Sequence, residues 1–215
     1  MTREKTTLVF LLSSAFLLLT WLVARNVTRP VDLFVMQIIQ RWHASPLDFG
    51  MYFFTLLGSI EFSCFAVLVI SWYLYSKYEW SGAFLYLFYF VVFSCVELVW
   101  KHLVIYTGPG PEFNRNPVHW EMISFSMNYS FPSGHTFRSV FLFGIWFQRL
   151  AMKERLFSWT ILLQKLFIFV LCFGVGYSRI YLGIHWLSDV LGGYLLAAIG
   201  LVLASNPFER ELRPA

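Results

Sequence analysis

Apolar stretches long enough to cross a bilayer recur along this chain and leave it few ways to fold. Leu8 to Ala24, Ile60 to Ser76, Phe84 to Leu103, His135 to Leu150 and Trp186 to Ala204 read as spans, as does Leu166 to Gly176 once lengthened at one or both ends. Hydrocarbon holds no water to satisfy backbone N–H and C=O groups, so such stretches fold as helices. The expectation is an all-α, polytopic membrane protein with six transmembrane helices. Composition excludes a soluble domain: of 215 residues, 58% are hydrophobic and only 13% charged, with a mean hydropathy of +0.63. Nine Trp and eleven Tyr suit the two water–lipid interfaces. The net charge of +4 comes without any basic run, which fits an anionic substrate and speaks against a nucleic-acid partner. Cys64, Cys95 and Cys172 lie in separate apolar stretches, a pattern of buried filler rather than of a disulfide framework.

Between the spans the sequence changes character. A cleaved signal peptide resembles the first stretch, but Leu22-Val23-Ala24 before Arg25 is not a small-x-small site, which favours a retained span. Asn26 to Pro30 breaks the helix. Residues 31–43 then carry Val31, Phe34, Val35, Ile38, Ile39 and Trp42 at helical spacing, with Asp32, Gln37, Gln40 and Arg41 between them. That is too short and polar to span, and it fits a helix lying in the interface. Pro46 to Gly58 is a mixed connector or half-span. Residues 104–134 form a long loop rich in Gly, Pro and Asn, and loops of that length are usually functional or disordered. A charged tail, 207–215, closes the chain. No repeat or second domain is visible, so 1–215 reads as one membrane-embedded domain.

The segment Tyr177 to Asp189 places Arg179, His185 and Asp189 in greasy surroundings. Ionisable side chains at membrane depth are expensive, so they point to function. His185 and Asp189 are four apart and share a helix face. A carboxylate there fixes the imidazole tautomer and raises the basicity of the other ring nitrogen, as a nucleophile or base requires. Arg179, with Gly183 letting the backbone turn between it and His185, can fork onto a phosphate. The plainer alternative is a snorkelling arginine and a self-satisfied His–Asp pair. A metal site lacks further ligands to complete a shell.

A second stretch, Pro132-Ser133-Gly134-His135, reads as a turn feeding a helix. Ser133 can cap it, Gly134 lets the backbone approach a ligand, and free amides at a helix start attract phosphate. With spans alternating in direction, Lys101, His135, Arg179 and His185 emerge on one side. With a cytoplasmic N-terminus the inside carries nine cations: Arg3, Lys5, Lys77, Arg149, Lys153, Arg155, Lys165, Arg210 and Arg213. The outside carries four, Arg25, Arg29, Arg41 and Arg115, apart from the cluster itself. That asymmetry puts both termini in the cytoplasm and the site on the extracytoplasmic face. The residues together describe phosphoryl transfer that needs neither metal nor cofactor. Lys101, Arg179, Ser133 and the amides near Gly134 neutralise phosphoryl oxygens. His185, oriented by Asp189, attacks phosphorus. His135 protonates the leaving oxygen and then activates water.

These motifs resemble the type 2 phosphatidic acid phosphatase family, the lipid phosphate phosphatases, whose relatives include the vanadium haloperoxidases and glucose-6-phosphatase. The family pattern is Lys-x6-Arg-Pro, then Pro-Ser-Gly-His, then Ser-Arg-x5-His-x3-Asp. The second is present at Pro132 to His135 and the third at Ser178, Arg179, His185 and Asp189. The first keeps Lys101 and Pro109 but has Gly108 in the arginine position. The resemblance implies a six-helix bundle in a bacterial inner or plasma membrane. It also implies hydrolysis of a lipid phosphomonoester or diphosphate, such as phosphatidic acid, phosphatidylglycerol phosphate, an isoprenyl diphosphate or lipid A. A phosphotransferase of the same fold and a non-catalytic lipid-binding relative are the alternatives. For the missing arginine, Arg138 is the nearest substitute, one turn after His135 on the same helix face, with Arg115 in the loop as second choice.

Overall fold

The computed structural model of the protein describes residues 2–77, 80–118, 129–152 and 158–204. The charged tail, part of the long loop, and the cations Lys153, Arg155, Arg210 and Arg213 lie outside the described residues. Eight helices follow in order among them: α1 (Arg3–Ala24), α2 (Arg29–Gln40), α3 (Ser45–Leu56), α4 (Ile60–Lys77), α5 (Trp80–Leu103), α6 (Gly134–Met152), α7 (Trp159–Tyr181) and α8 (Leu187–Ala204). A 3-10 turn, Pro111–Phe113, interrupts the loop after α5. The breaks fall where local chemistry puts them. Asn26 takes φ of 57° between α1 and α2, a left-handed conformation that Asn tolerates. Pro30 and Pro46 stand in the first turns of α2 and α3, where a missing N–H costs nothing.

By length and apolarity four helices qualify as bilayer spans: Arg3–Ala24, Gly82–Leu103, Trp159–Tyr181 and Leu187–Ala204. The pair Ser45–Leu56 and Ile60–Ser76, bent by 44°, makes a fifth if it is one broken span. That differs from the six expected. The connector Pro46 to Gly58 is helical and joins the following span. The shortfall is α6, which carries His135 and Arg138 near one end and Gln148 and Arg149 near the other, so it lacks the apolar length of its neighbours.

The bundle is organised around α8, which packs against α1, α2, α5, α6 and α7. Of the α8 span 61% is buried, against 11% for α1 and 17% for α7. Its small residues Gly192, Gly193, Ala197 and Gly200 let neighbours approach closely, as membrane helix packing requires. Across α5 and α6, Tyr86, Phe90, Phe137 and Phe141 stack into a buried aromatic column. Large apolar side chains such as Phe10, Phe65, Trp72 and Phe167 point outward. Cys64 and Cys95 are exposed on the bundle's outside, contrary to the expectation of buried filler. An outward face that meets lipid makes no demand for polar residues, so an apolar stretch alone does not tell a core cysteine from a peripheral one.

Candidate active site

His185 sits on the tight turn between α7 and α8. Gly183 takes φ of 70°, and the carbonyl of Phe113 occupies the place a Cβ would fill, so a side chain there is excluded twice. The amides of Ile184 and His185 donate to the Arg179 carbonyl at 3.0 and 3.1 Å, which locks the turn. Asp189, fully buried in the first turn of α8, accepts from the Trp186 N–H at 2.9 Å, the backward reach of a capping box. The same oxygen, Oδ2, lies 3.2 Å from His185 Nδ1. Donation from Nδ1 to the carboxylate leaves Nε2 with its lone pair. Burial first, and then the charges of Arg179, Lys101 and Arg138, hold His185 well below the ordinary histidine range. The imidazole is therefore neutral at pH 7.

Arg179 ends α7 with 3% of its surface exposed, and its Nη1 donates to Thr55 Oγ1 of α3 at 2.8 Å. Lys101 ends α5. Its Nζ lies 3.4 Å from Glu97 Oε1 one turn earlier and donates to the Ser130 carbonyl at 3.3 Å. Glu97 is 2% exposed and also approaches Arg138 Nη1 at 3.9 Å. The i,i+4 spacing of Glu97 and Lys101 is thus a real contact across one helical turn.

The turn before α6 is tied to α8 by its backbone, the Ser133 N–H donating to the Asp189 carbonyl at 2.9 Å. Ser133 Oγ accepts from the Thr136 N–H at 3.5 Å and from the Thr136 hydroxyl at 3.1 Å, capping α6. A Cβ on Gly134 would stand 2.7 Å from Glu97 Oε1 and 2.8 Å from Arg138 Nη1. The glycine makes room for that ion pair. Arg138 donates from Nε to the Gly58 carbonyl at 2.9 Å and places Nη2 3.5 Å from His135 Nδ1. Arg179, Arg138, His185 and Lys101 all lie close enough to His135 to act on it electrostatically.

The residues singled out from the sequence, Lys101, Ser133, Gly134, His135, Arg138, Arg179, His185 and Asp189, therefore meet at one end of the bundle. Arg115 is held by its backbone N–H on the Leu182 carbonyl at 3.0 Å, on the loop side of that end. Gly108 opens beside the same group. A Cβ there would find Ser130 Cβ at 3.6 Å and the Ile184 carbonyl at 3.8 Å, ordinary contact distances. Thr55 and Gly58 are partners that no sequence pattern announces, because they come from the connector before α4. Among the described residues no three His, Cys, Asp or Glu side chains gather as a metal site would need.

Residues 82–212 match the model of the PAP2 superfamily. Among solved structures, the first transmembrane PAP2-type phosphatidylglycerolphosphate phosphatase from Bacillus subtilis is similar with a TM-score of 0.75 at 22% identity. That similarity covers 95% of this chain and 97% of the other. Aquifex aeolicus LpxE is similar with a TM-score of 0.53 at 20% identity, over 83% of this chain and 95% of the other. No curated protein sequence matches significantly.

Proposed function

We propose a function for this chain from one premise: it belongs to the PAP2 superfamily. It is a lipid phosphate or diphosphate phosphatase of the membrane, working without metal through a phosphohistidine. The observation that carries this reading is the 3.2 Å contact of His185 Nδ1 with Asp189 Oδ2, which frees Nε2 at the end of the bundle where Lys101 and Arg179 also lie. Nε2 attacks phosphorus while the P–O bond to the lipid breaks. His135 enters as the imidazolium, a form the bound phosphate's charge favours, gives the proton on Nε2 to the departing oxygen and is left as the neutral ring. The same nitrogen then takes a proton from water, whose oxygen attacks the phosphohistidine, breaks the P–N bond and releases phosphate. Lys101, Arg179, the Ser133 hydroxyl and the amides near Gly134 bear the charge on the phosphoryl oxygens.

In this reading residues 1–215 form one domain, and α6 crosses the bilayer with the rest, sheltered by its neighbours, to give six crossings. The excess of cations on the opposite loops supports an extracytoplasmic site with both termini in the cytoplasm. Helix α2 lies in the interface, with Val31, Phe34 and Ile38 exposed on it and Trp42 exposed just past its end. The substrate's phosphate enters from that interface while its tails stay in lipid.

The test is the purified protein against phosphatidic acid, phosphatidylglycerol phosphate and isoprenyl diphosphates, measuring released phosphate without an added acceptor. Release from at least one, resistant to chelators and blocked by orthovanadate, is expected. Transfer only to an added lipid or sugar would instead mark a phosphotransferase, and no turnover with any acceptor a binding protein. Offered to intact cells as short-chain, impermeant analogues, the substrate should be hydrolysed from outside. Hydrolysis only after permeabilisation would reverse the orientation.

Gly108 leaves out a donor whose removal elsewhere costs about 10²–10³ in kcat. We assign part of that charge to Arg138, delivered from behind His135. Arg138→Ala should cost about tenfold, mostly in kcat, a modest fraction of a full donor's worth. A change within about twofold would leave Arg138 a packing residue. Adding Gly108→Arg, whose Cβ would sit at ordinary contact distances, should restore hydrolysis of small phosphomonoesters. If it does not, the glycine is there to admit a larger head group.

A further inference from the structure

Helix α2 is amphipathic in an unexpected sense. Its outward face carries Val31, Phe34 and Ile38, while Asp32, Met36 and Gln40, four residues apart, are buried. Asp32 is 1% exposed. Its Oδ1 accepts from the Ser188 N–H at 2.8 Å, and its Oδ2 from the Ser188 hydroxyl and the Tyr106 hydroxyl, both at 2.7 Å. The Tyr106 phenol is pushed up to about 12, by burial first, and so stays a donor. Two turns on, Gln40 Nε2 donates to the carbonyls of Phe113 at 2.8 Å and Tyr181 at 2.9 Å. One helix outside every recognised motif thus grips the loop after α5, the end of α7 and the start of α8.

We propose that Asp32 is a positioning residue for the His185–Asp189 pair, an inference that rests on the phosphatase reading above. Ser188 is the neighbour of Asp189 in the first turn of α8, where backbone N–H groups have no partner within the helix. A carboxylate that takes both the N–H and the hydroxyl of Ser188 fixes that turn through charge-assisted bonds and complements the helix dipole. Asp189 Oδ2 is then held within reach of the Trp186 N–H and of His185 Nδ1 at once. Displacing a reacting group by about 1 Å costs about 10²-fold in rate, so a loosened turn shows in turnover before it shows in binding.

The experiment compares Asp32→Ala and Asp32→Asn with wild type in one bilayer system, using the lipid phosphate that wild type hydrolyses best. Folded protein is counted by monodisperse elution and thermal midpoint. Asp32→Ala should lose about 30-fold in kcat per folded molecule, with KM within about threefold. Asp32→Asn should keep at least about a third of wild-type kcat, because its carbonyl still accepts from the Ser188 N–H and both hydroxyls can rotate to accept from its amide. Loss in Asp32→Ala that only tracks the folded fraction overturns the proposal, as does an Asp32→Asn as slow as Asp32→Ala. Should Asp32→Ala not fold, Ser188→Ala removes one of the three bonds. A several-fold fall in its kcat at unchanged KM supports the proposal, and an unchanged kcat overturns it. A wild type inactive on every lipid phosphate would sink the phosphatase reading itself, a separate result.

Discussion

Replacing His185 by alanine should leave a folded protein with less than about a thousandth of wild-type turnover, since losing a nucleophile that acts as part of a unit removes nearly all of the unit's effect. Among the described residues no other imidazole at this end of the bundle is paired to a buried carboxylate. Asp189→Asn should be milder, falling between about 10²- and 10⁴-fold, because an amide disturbs the tautomer and the Trp186 cap without deleting the attacking ring. A second signature comes from acid. In the proposed mechanism the attacking form is the free base; burial with the three nearby cations lowers the pKa, so that form is complete at neutral pH and lost only as pH falls through the lowered value. The limb of kcat/KM that reflects His185 should therefore lie below 6.5, the ordinary histidine value. A tenth of wild-type activity surviving in His185→Ala would put the nucleophile elsewhere. A His185 limb above 6.5, assigned by its response to the histidine's replacement, would contradict the electrostatics.

Arg179→Ala is the second large effect. A preorganised oxyanion donor lost from an active site costs about 10²–10³ in kcat, and a guanidinium that also holds the phosphate's charge in the ground state raises KM when removed, so kcat/KM should fall further than kcat. Arg179→Lys should recover little, because an ammonium cannot fork onto two oxygens. Thr55→Val, which removes the hydroxyl 2.8 Å from Nη1, should fall between wild type and Arg179→Ala. Steady-state kinetics on protein of equal folded fraction decide it. If Arg179→Ala keeps wild-type kcat once unfolded material is discounted, the arginine merely joins α7 to α3.

What could be read from the sequence followed from short-range spacing. His185 and Asp189 are one helical turn apart, as are Glu97 and Lys101, so their contacts are nearly forced once the helices form. The Ser133 cap and the turn at Gly183 are likewise local. The grouping at one end followed from the alternating direction of the spans. The partners that stayed hidden are those that cross between elements. Asp32 and Gln40 look like the wet side of an interfacial helix, yet both are buried because the active-site loops fold over them. Thr55 and Gly58 sit in a connector whose residues carry no chemical signature. Gly134, expected to give a ligand room, gives it to Glu97 and Arg138. Helix α6 falls short of the apolar length of its neighbours for a related reason: a helix that lends polar groups to the site has fewer residues left for lipid.

The central place of α8 has a consequence for how the protein is made. Among the described helices α1 leaves the ribosome first and α8 last, yet α1 packs chiefly against α8. Some 160 residues separate the end of α1 at Ala24 from the start of α8 at Leu187. At about 5–20 residues per second that is roughly ten to thirty seconds of synthesis. Through that interval α1 must be content alone in lipid, which its nearly uniform apolar surface allows. A nascent chain that has reached Gly183 already holds Lys101, Ser133, His135, Arg138 and Arg179, but not His185, the nucleophile of the proposed mechanism. On the proposed mechanism competence arrives only with the turn into α8, and an unfinished chain in the membrane would gather phosphate charge and do no chemistry.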